Sequence, residues 1–225
     1  ILVEPGATID ETRARIGRAA ADYVQRVVRP NQTIAVSWGA TLAKLAQALE
    51  PKPVPGVKVV PLLGGSGRTD LALHANQIAQ ALARAMGGEW FPLLAPVLVS
   101  SEAHREAFLT EEPIKEVLEM AASSQMAIVG VAGMHPTSTM RQTGYLGVDE
   151  VEELLSLGAI GDICSYFIDA DGRPCAPFWN NRVVGLPLEK LRQIPLVIGL
   201  AAGEEKARAL QASIRGGYVK VVITD

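Results

Sequence analysis

Apolar positions along this chain follow a helical period in some stretches and run almost unbroken in others, and the two patterns alternate. In residues 8–29, Ile9, Ile16, Ala20, Tyr23, Val24 and Val27 share one face, which predicts a long amphipathic helix stopped by Pro30-Asn31. Residues 33–37 then read as a buried strand, and Leu42, Leu45, Ala46 and Leu49 fall at i, i+3, i+4, i+7 of a helix over 41–50. A proline-rich linker at 51–55 leads to a strand at 57–62, the glycine cluster LGGSGR at 63–68, and a helix over 70–86 that ends at Gly87-Gly88. A strand near 96–100 follows, with helices at about 102–109 and 112–122, an apolar strand at 126–133 and a helix at 149–157. YFIDADGRPC predicts an exposed hairpin with an Asp-Gly turn. Strand 195–203, helix 204–214 and strand 218–224 close the chain as a βαβ unit.

Strands that are apolar on both faces and alternate with helices imply a mainly parallel sheet covered on each side. The expected architecture is a single doubly wound α/β domain over 1–225, with a small antiparallel excursion near 160–186. In such sheets ligands bind outside the carboxyl ends of the strands, where the strand order switches. That rule points to the segments after Ser37, Leu63, Val131 and Leu200, all rich in Gly, Ser, Thr or Ala.

Composition narrows the classes. A net charge of −3 over 225 residues argues against a nucleic-acid-binding face built from these residues alone. Nothing reaches the roughly 18 apolar residues of a membrane span, and no signal-peptide pattern opens the chain, so a soluble, cytoplasmic protein is expected. Cys164 and Cys175 have no histidine neighbours; they read as small packing residues, and no metal or cofactor is expected.

Four places hold candidate chemistry. SWGAT (37–41) sets small residues where a strand hands over to a helix N-terminus; it suits an anion, or serves only a tight turn with Thr41 as cap. GGSGR (64–68) is neither a Walker A loop nor a dinucleotide fingerprint; it fits a second anion or hydroxyl pocket, or a loop needing positive φ. Asp162 in GAIGDIC can accept hydrogen bonds from sugar hydroxyls, or sit on the surface. Lys206 lies in the first turn of a helix, where the dipole disfavours a cation, so it is either solvated or answers a ligand charge. His74, His104 and His135 are scattered, and no convincing general base emerges.

The order of SWGATLAKLAQAL, VVPLLGGSGR, GAIGDIC, DADG, NNRV, IPLVIG and the closing GGYVKVVITD resembles the effector-binding domain of SorC/DeoR-type sugar-binding transcriptional regulators, from about residue 5 to the end. The resemblance implies a Rossmann-like fold similar to sugar-phosphate isomerases and deaminases, used for sensing without turnover. It implies a phosphorylated sugar effector, a homo-oligomer (dimer or tetramer), no membrane, and operator DNA read by an N-terminal helix-turn-helix domain that these residues do not contain. Carried over, the phosphate lies against Ser37, Gly39, Ala40 and Thr41, with Lys206 as the cation. Gly64, Gly65, Ser66, Gly67 and Arg68 form another wall, with Asn76 and Gln77 nearby, and Ala132 and Gly133 line the base. Asp162 reads sugar hydroxyls and Asn181 braces the neighbouring loop. Two rivals remain at this point: an isomerase or deaminase on the same fold, with Asp162 moving a proton, and an oligomerisation domain without ligand.

Overall fold

Six strands run parallel, and their order reverses once. A computed structural model describes residues 1–65, 73–135, 138–142 and 144–225, with Thr139 and Gln142 as backbone only; Ser66, Gly67 and Arg68 of the glycine cluster lie outside the described residues. The strands are β1 (Thr33–Val36), β2 (Lys58–Pro61), β3 (Glu89–Trp90), β4 (Met126–Gly133), β5 (Gly161–Ile163), β6 (Tyr166–Ile168), β7 (Leu196–Leu200) and β8 (Val221–Ile223). Pairing gives the parallel order β3-β2-β1-β4-β7-β8, with β1 and β4 at the switch. The last residues of β4 leave that ladder: Val131, Ala132 and Gly133 pair antiparallel with β5, which pairs with β6.

The helices are α1 (Ile9–Val27), α2 (Ala40–Ala48), α3 (Ala75–Met86), α4 (Glu102–Thr110), α5 (Glu112–Ala122), α6 (Thr139–Gln142), α7 (Val148–Ser156), α8 (Pro177–Asn180), α9 (Leu188–Leu191) and α10 (Ala207–Arg215). Alternate strand residues divide between two cores, as the two-residue period of a strand requires. Ile34, Val36, Met126, Ile128, Ile198 and Leu200 pack under α1, α2 and α3. Ala35, Ala127, Val129 and Val197 pack on the other face, against α5, α10 and the excursion between β4 and β7. Each large apolar side chain fully buried here contributes about 1.5–3 kcal/mol.

α1 lies on α2, and Gly17 sets the distance between them: a Cβ there would fall 2.6 Å from the Lys44 carbonyl carbon. The expected α1 face is buried at Ile16, Ala20 and Val24 and partly at Tyr23 and Val27, but Ile9 at the helix start is exposed. Gly87 ends α3 in the left-handed region, φ 62°.

Two expectations fail. The run near 96–100 is not a ladder strand. It threads between Gly65 and Val183 as isolated bridges, because its backbone bonds are split between two irregular neighbours. The expected hairpin is present, with its turn at Asp169–Gly172, Ile168 bridged to Pro174 and the Cys175 N–H donated to the Phe167 carbonyl at 3.2 Å, but it is not exposed: Tyr166, Phe167 and Ile168 are all buried. A second hairpin precedes it, in which β5 and β6 turn at Cys164 and Ser165, both at positive φ (52° and 67°). β3, α6, α8 and α9 are too short to have left a periodic signal.

Candidate functional site: a cationic cleft at the strand switch

The loop after β1 and the end of β4 face each other across the switch point, where the doubly wound architecture places ligands. Between them lies a cleft whose walls include Trp38, Gly39, Ala40, Thr41, Leu42, Gly130, Val131, Ala132, Asp162 and Lys206. One floor tie is the Ser37 hydroxyl, which accepts the Gly130 N–H at 3.2 Å and locks β1 to β4. Gly130 keeps this junction close: a Cβ would sit 3.1 Å from Leu42 Cδ1 and 3.2 Å from the Trp38 carbonyl oxygen, so both would have to give way by a few tenths of an ångström. Trp38 is nearly buried and meets Tyr145 edge to face, ring centroids 6.3 Å apart, so its bulk is held by packing.

α2 enters this cleft with its N-terminus bare. Gly39 is the cap, at φ 123°, and makes no side-chain cap hydrogen bond; no acidic residue stands in the first turn. The Gly39 N–H is taken by the Leu73 carbonyl at 3.1 Å. The N–H groups of Ala40, Thr41 and Leu42 have no partner within the helix, by the geometry of any α-helix start, and all three residues line the cleft. Thr41 is inside the helix and does not cap it.

Lys206 comes from the short 3-10 turn before α10, following Gly203 at φ 99°. Gly133 lets that turn close in, since a Cβ there would lie 2.8 Å from the Glu205 carbonyl oxygen. Burial, and then the charge of Arg13, lower the Lys206 ammonium below its ordinary value, against the opposite pull of Glu205, Asp162 and Asp225. Among the described residues the ammonium makes no ion pair.

Asp162, 6% exposed, projects from β5 opposite Ala132. Burial pushes its carboxyl up to about 7, against the lowering effects of the Ser165 N–H, which it accepts at 3.1 Å, and of Lys206. Burial and the neighbouring Asp162 also push the Cys164 thiol well above its usual range, so it stays protonated. Consecutive positive φ values at Cys164 and Ser165 cost energy in non-glycine residues, and such turns concentrate where a site demands a fixed geometry.

Of the residues expected in the site, Gly39, Ala40, Thr41, Ala132, Asp162 and Lys206 meet in the cleft. Ser37 and Gly133 sit behind it, shaping it. The others are elsewhere. Gly64 and Gly65 are engaged with the backbone of Val184 and residues 95–97, and Gln77 is exposed on α3. Both amide atoms of Asn76 bracket the Leu93 backbone, at 3.0 Å each. Asn181 is exposed, and the bracing falls to Asn180, whose amide holds both backbone groups of Phe167 at 2.8 and 3.1 Å. Sequence reasoning missed Arg13, Ser138, Met140 and Cys164, which also line the cleft. Cys164 sits two residues from Asp162 in a strand-turn-strand, a spacing that brings both to one edge; the other three carry no local signal.

Residues 1–225 match the Sugar-bind family, described as "Putative sugar-binding domain". The chain belongs to this family. The sugar-binding domain is 30% identical over 210 residues to the deoxyribonucleoside regulator of Bacillus subtilis, covering 93% of this chain and 67% of that protein. It is also 30% identical over 227 residues to the transcriptional regulator LsrR of Klebsiella pneumoniae, covering 99% and 68%. The chain thus spans about two thirds of the length of these curated relatives. Among solved structures, a DeoR family regulator from Listeria monocytogenes superposes with a TM-score of 0.91 at 32% identity, over 100% of this chain and 88% of that one. The full-length sorbitol operon regulator SorC of Klebsiella pneumoniae gives 0.89 at 25% identity, over 99% and 73%. The sugar-binding domain is therefore of the kind carried by DeoR- and SorC-type transcriptional regulators, and these relatives give no support to the isomerase or deaminase alternative.

Proposed function

We propose that the sugar-binding domain senses a phosphorylated sugar in this cleft and passes occupancy to a DNA-reading domain of the same regulator, without turnover. One observation carries the reading: the N–H groups of Ala40, Thr41 and Leu42 at an uncapped helix start and a half-buried lysine, all without a partner among the described residues, converge on one cleft. Such an arrangement favours an anion in water-poor surroundings, since each donor is fixed and the helix dipole adds to the lysine charge. A phosphate group supplies that anion. Asp162, whose carboxyl is pushed up to about 7, accepts from sugar hydroxyls and, in its protonated fraction, donates to them, and Trp38 gives the sugar ring an apolar side.

The regulator that carries this domain works in the cytoplasm, as a homo-oligomer whose paired DNA readers sit N-terminal to α1. Effector binding shifts its DNA affinity only as far as the two conformations of the oligomer differ in affinity for the effector. A thermal-shift panel of phosphorylated sugars beside their unphosphorylated parents tests the assignment, repeated on Thr41→Ala and Lys206→Ala. At 100 times its dissociation constant a ligand of the native state adds about 2.7 kcal/mol of stability. The expected result is stabilisation by a phosphorylated compound only, reduced in both variants, with no product formed. A flat panel overturns the anion site, and an isomerised or deaminated product overturns sensing without turnover.

A further inference from the structure

Arg13 is the cation that neither the family resemblance nor the sequence pattern assigns. It stands on α1, more than twenty residues before the first loop of the cleft, yet its side chain lines the cleft beside Lys206. Its Nε is shut off from water and has no hydrogen-bond partner. The other arginines of α1 lie outside the cleft: Arg15 donates to the Glu4 and Pro5 carbonyl oxygens, Arg26 lies over the Tyr23 ring, and Arg18 is exposed. A guanidinium nitrogen buried without an acceptor costs stability, and Arg13 adds to that cost by repelling Lys206. A structural arginine would be expected to find a carboxylate or carbonyl; this one faces a cation and a bare helix end.

We infer that Arg13 is a direct ligand of the effector's anionic group, so that the anion is held jointly by α1, α2 and the turn before α10. The inference rests on the anion-site reading above. Its consequence is mechanical. α1 begins at Ile9, a short way after Leu2, which bridges Thr224, and is clamped to α2 at Gly17 and by the Lys44–Asp10 ion pair at 2.9 Å. An anion bonded to Arg13 adds a third tie on the side of α1 that faces the cleft, so occupancy is felt by the helix itself. A planar guanidinium also grips phosphate through two parallel hydrogen bonds, which fixes the helix more firmly than a lysine there would.

The test uses inorganic phosphate as probe, at constant ionic strength set with chloride, on the native chain and on Arg13→Gln, Lys206→Gln and Arg18→Gln. Arg18 is exposed on α1 away from the cleft and controls for the loss of one positive charge from that helix. The readouts are the phosphate-induced rise in Tm and hydrogen exchange over residues 9–16. The expected result is that Arg13→Gln has a Tm without phosphate equal to or above the native chain's, loses the phosphate-induced rise as Lys206→Gln does, and loses the slowing of exchange in α1. Arg18→Gln keeps all three responses. If Arg13→Gln retains the full rise while Lys206→Gln abolishes it, or if it lowers the Tm without phosphate and leaves the rise intact, Arg13 is a structural residue and the inference falls while the anion site stands. If phosphate raises the Tm of no protein, the anion site falls and takes the inference with it.

Discussion

Two helices of this domain start in opposite ways. α1 opens on Thr8, whose hydroxyl accepts the Glu11 N–H at 3.2 Å, and it carries Asp10 and Glu11 in its first turn. Glu11 accepts the Ala7 N–H and Thr12 the Gly6 N–H, so side chains of the helix itself satisfy donors just before its start. α2 opens on Gly39 with no side-chain cap and no acid, and the cations gathered at its start are a half-buried lysine and a half-buried arginine. The first end is finished by its own sequence. The second is left for something negative to finish, and the domain bears the cost in the meantime.

That difference can be broken by mutation. Asp162 should show the largest effect, because it is the buried carboxyl of the unfinished end. Its carboxyl moves from an ordinary 3.8 to about 7 on folding. The stability tied to keeping that proton is complete below about pH 3.8 and is lost as pH rises through about 7. Asp162→Asn should therefore flatten the stability profile across that window and exceed the native chain at pH 8, by at most about 4 kcal/mol. Urea melts at about pH 5 and pH 8 check it; unchanged pH dependence would mean that the carboxyl is not held protonated.

Giving α2 the kind of first turn that α1 has is the next step down. Ala40→Asp places a carboxylate at the bare N–H groups, next to Lys206. It should abolish the roughly 2.7 kcal/mol that a saturating phosphorylated sugar adds, while raising ligand-free stability by about 0.3–1 kcal/mol. A variant that still responds to the sugar would show that the anion lies elsewhere. The converse change is smaller in its reach. Thr8→Ala unfinishes α1 and should cost about 1 kcal/mol in urea melts, with no loss of ligand response.

The same contrast explains what was legible beforehand. The strand-to-helix handovers after β1 and β7 are local events, so SWGAT and Lys206 could be read as residues of interest from neighbours a few positions away, and Asp162 from its place between a glycine and an apolar run. Arg13, Ser138 and Met140 reach the cleft through tertiary packing, and nothing in their spacing says so. Asn76 and Asn181 illustrate the opposite error: a polar residue near a glycine loop looks like a ligand until its bonds are known. Asn76 is fully used by the Leu93 backbone, and the amide that braces β6 belongs to Asn180, one position from the expected one. The segment near 96–100 has a strand's composition, yet its partners are loops, and composition alone does not reveal the partner.

The most direct measurement is a two-dimensional ¹⁵N–¹H spectrum of the domain titrated with a phosphorylated sugar that stabilises it, and with the unphosphorylated parent. The account predicts saturable shifts of the Ala40, Thr41 and Leu42 amides with the phosphorylated compound and none with the parent. Saturable binding that leaves those three amides unmoved would contradict it.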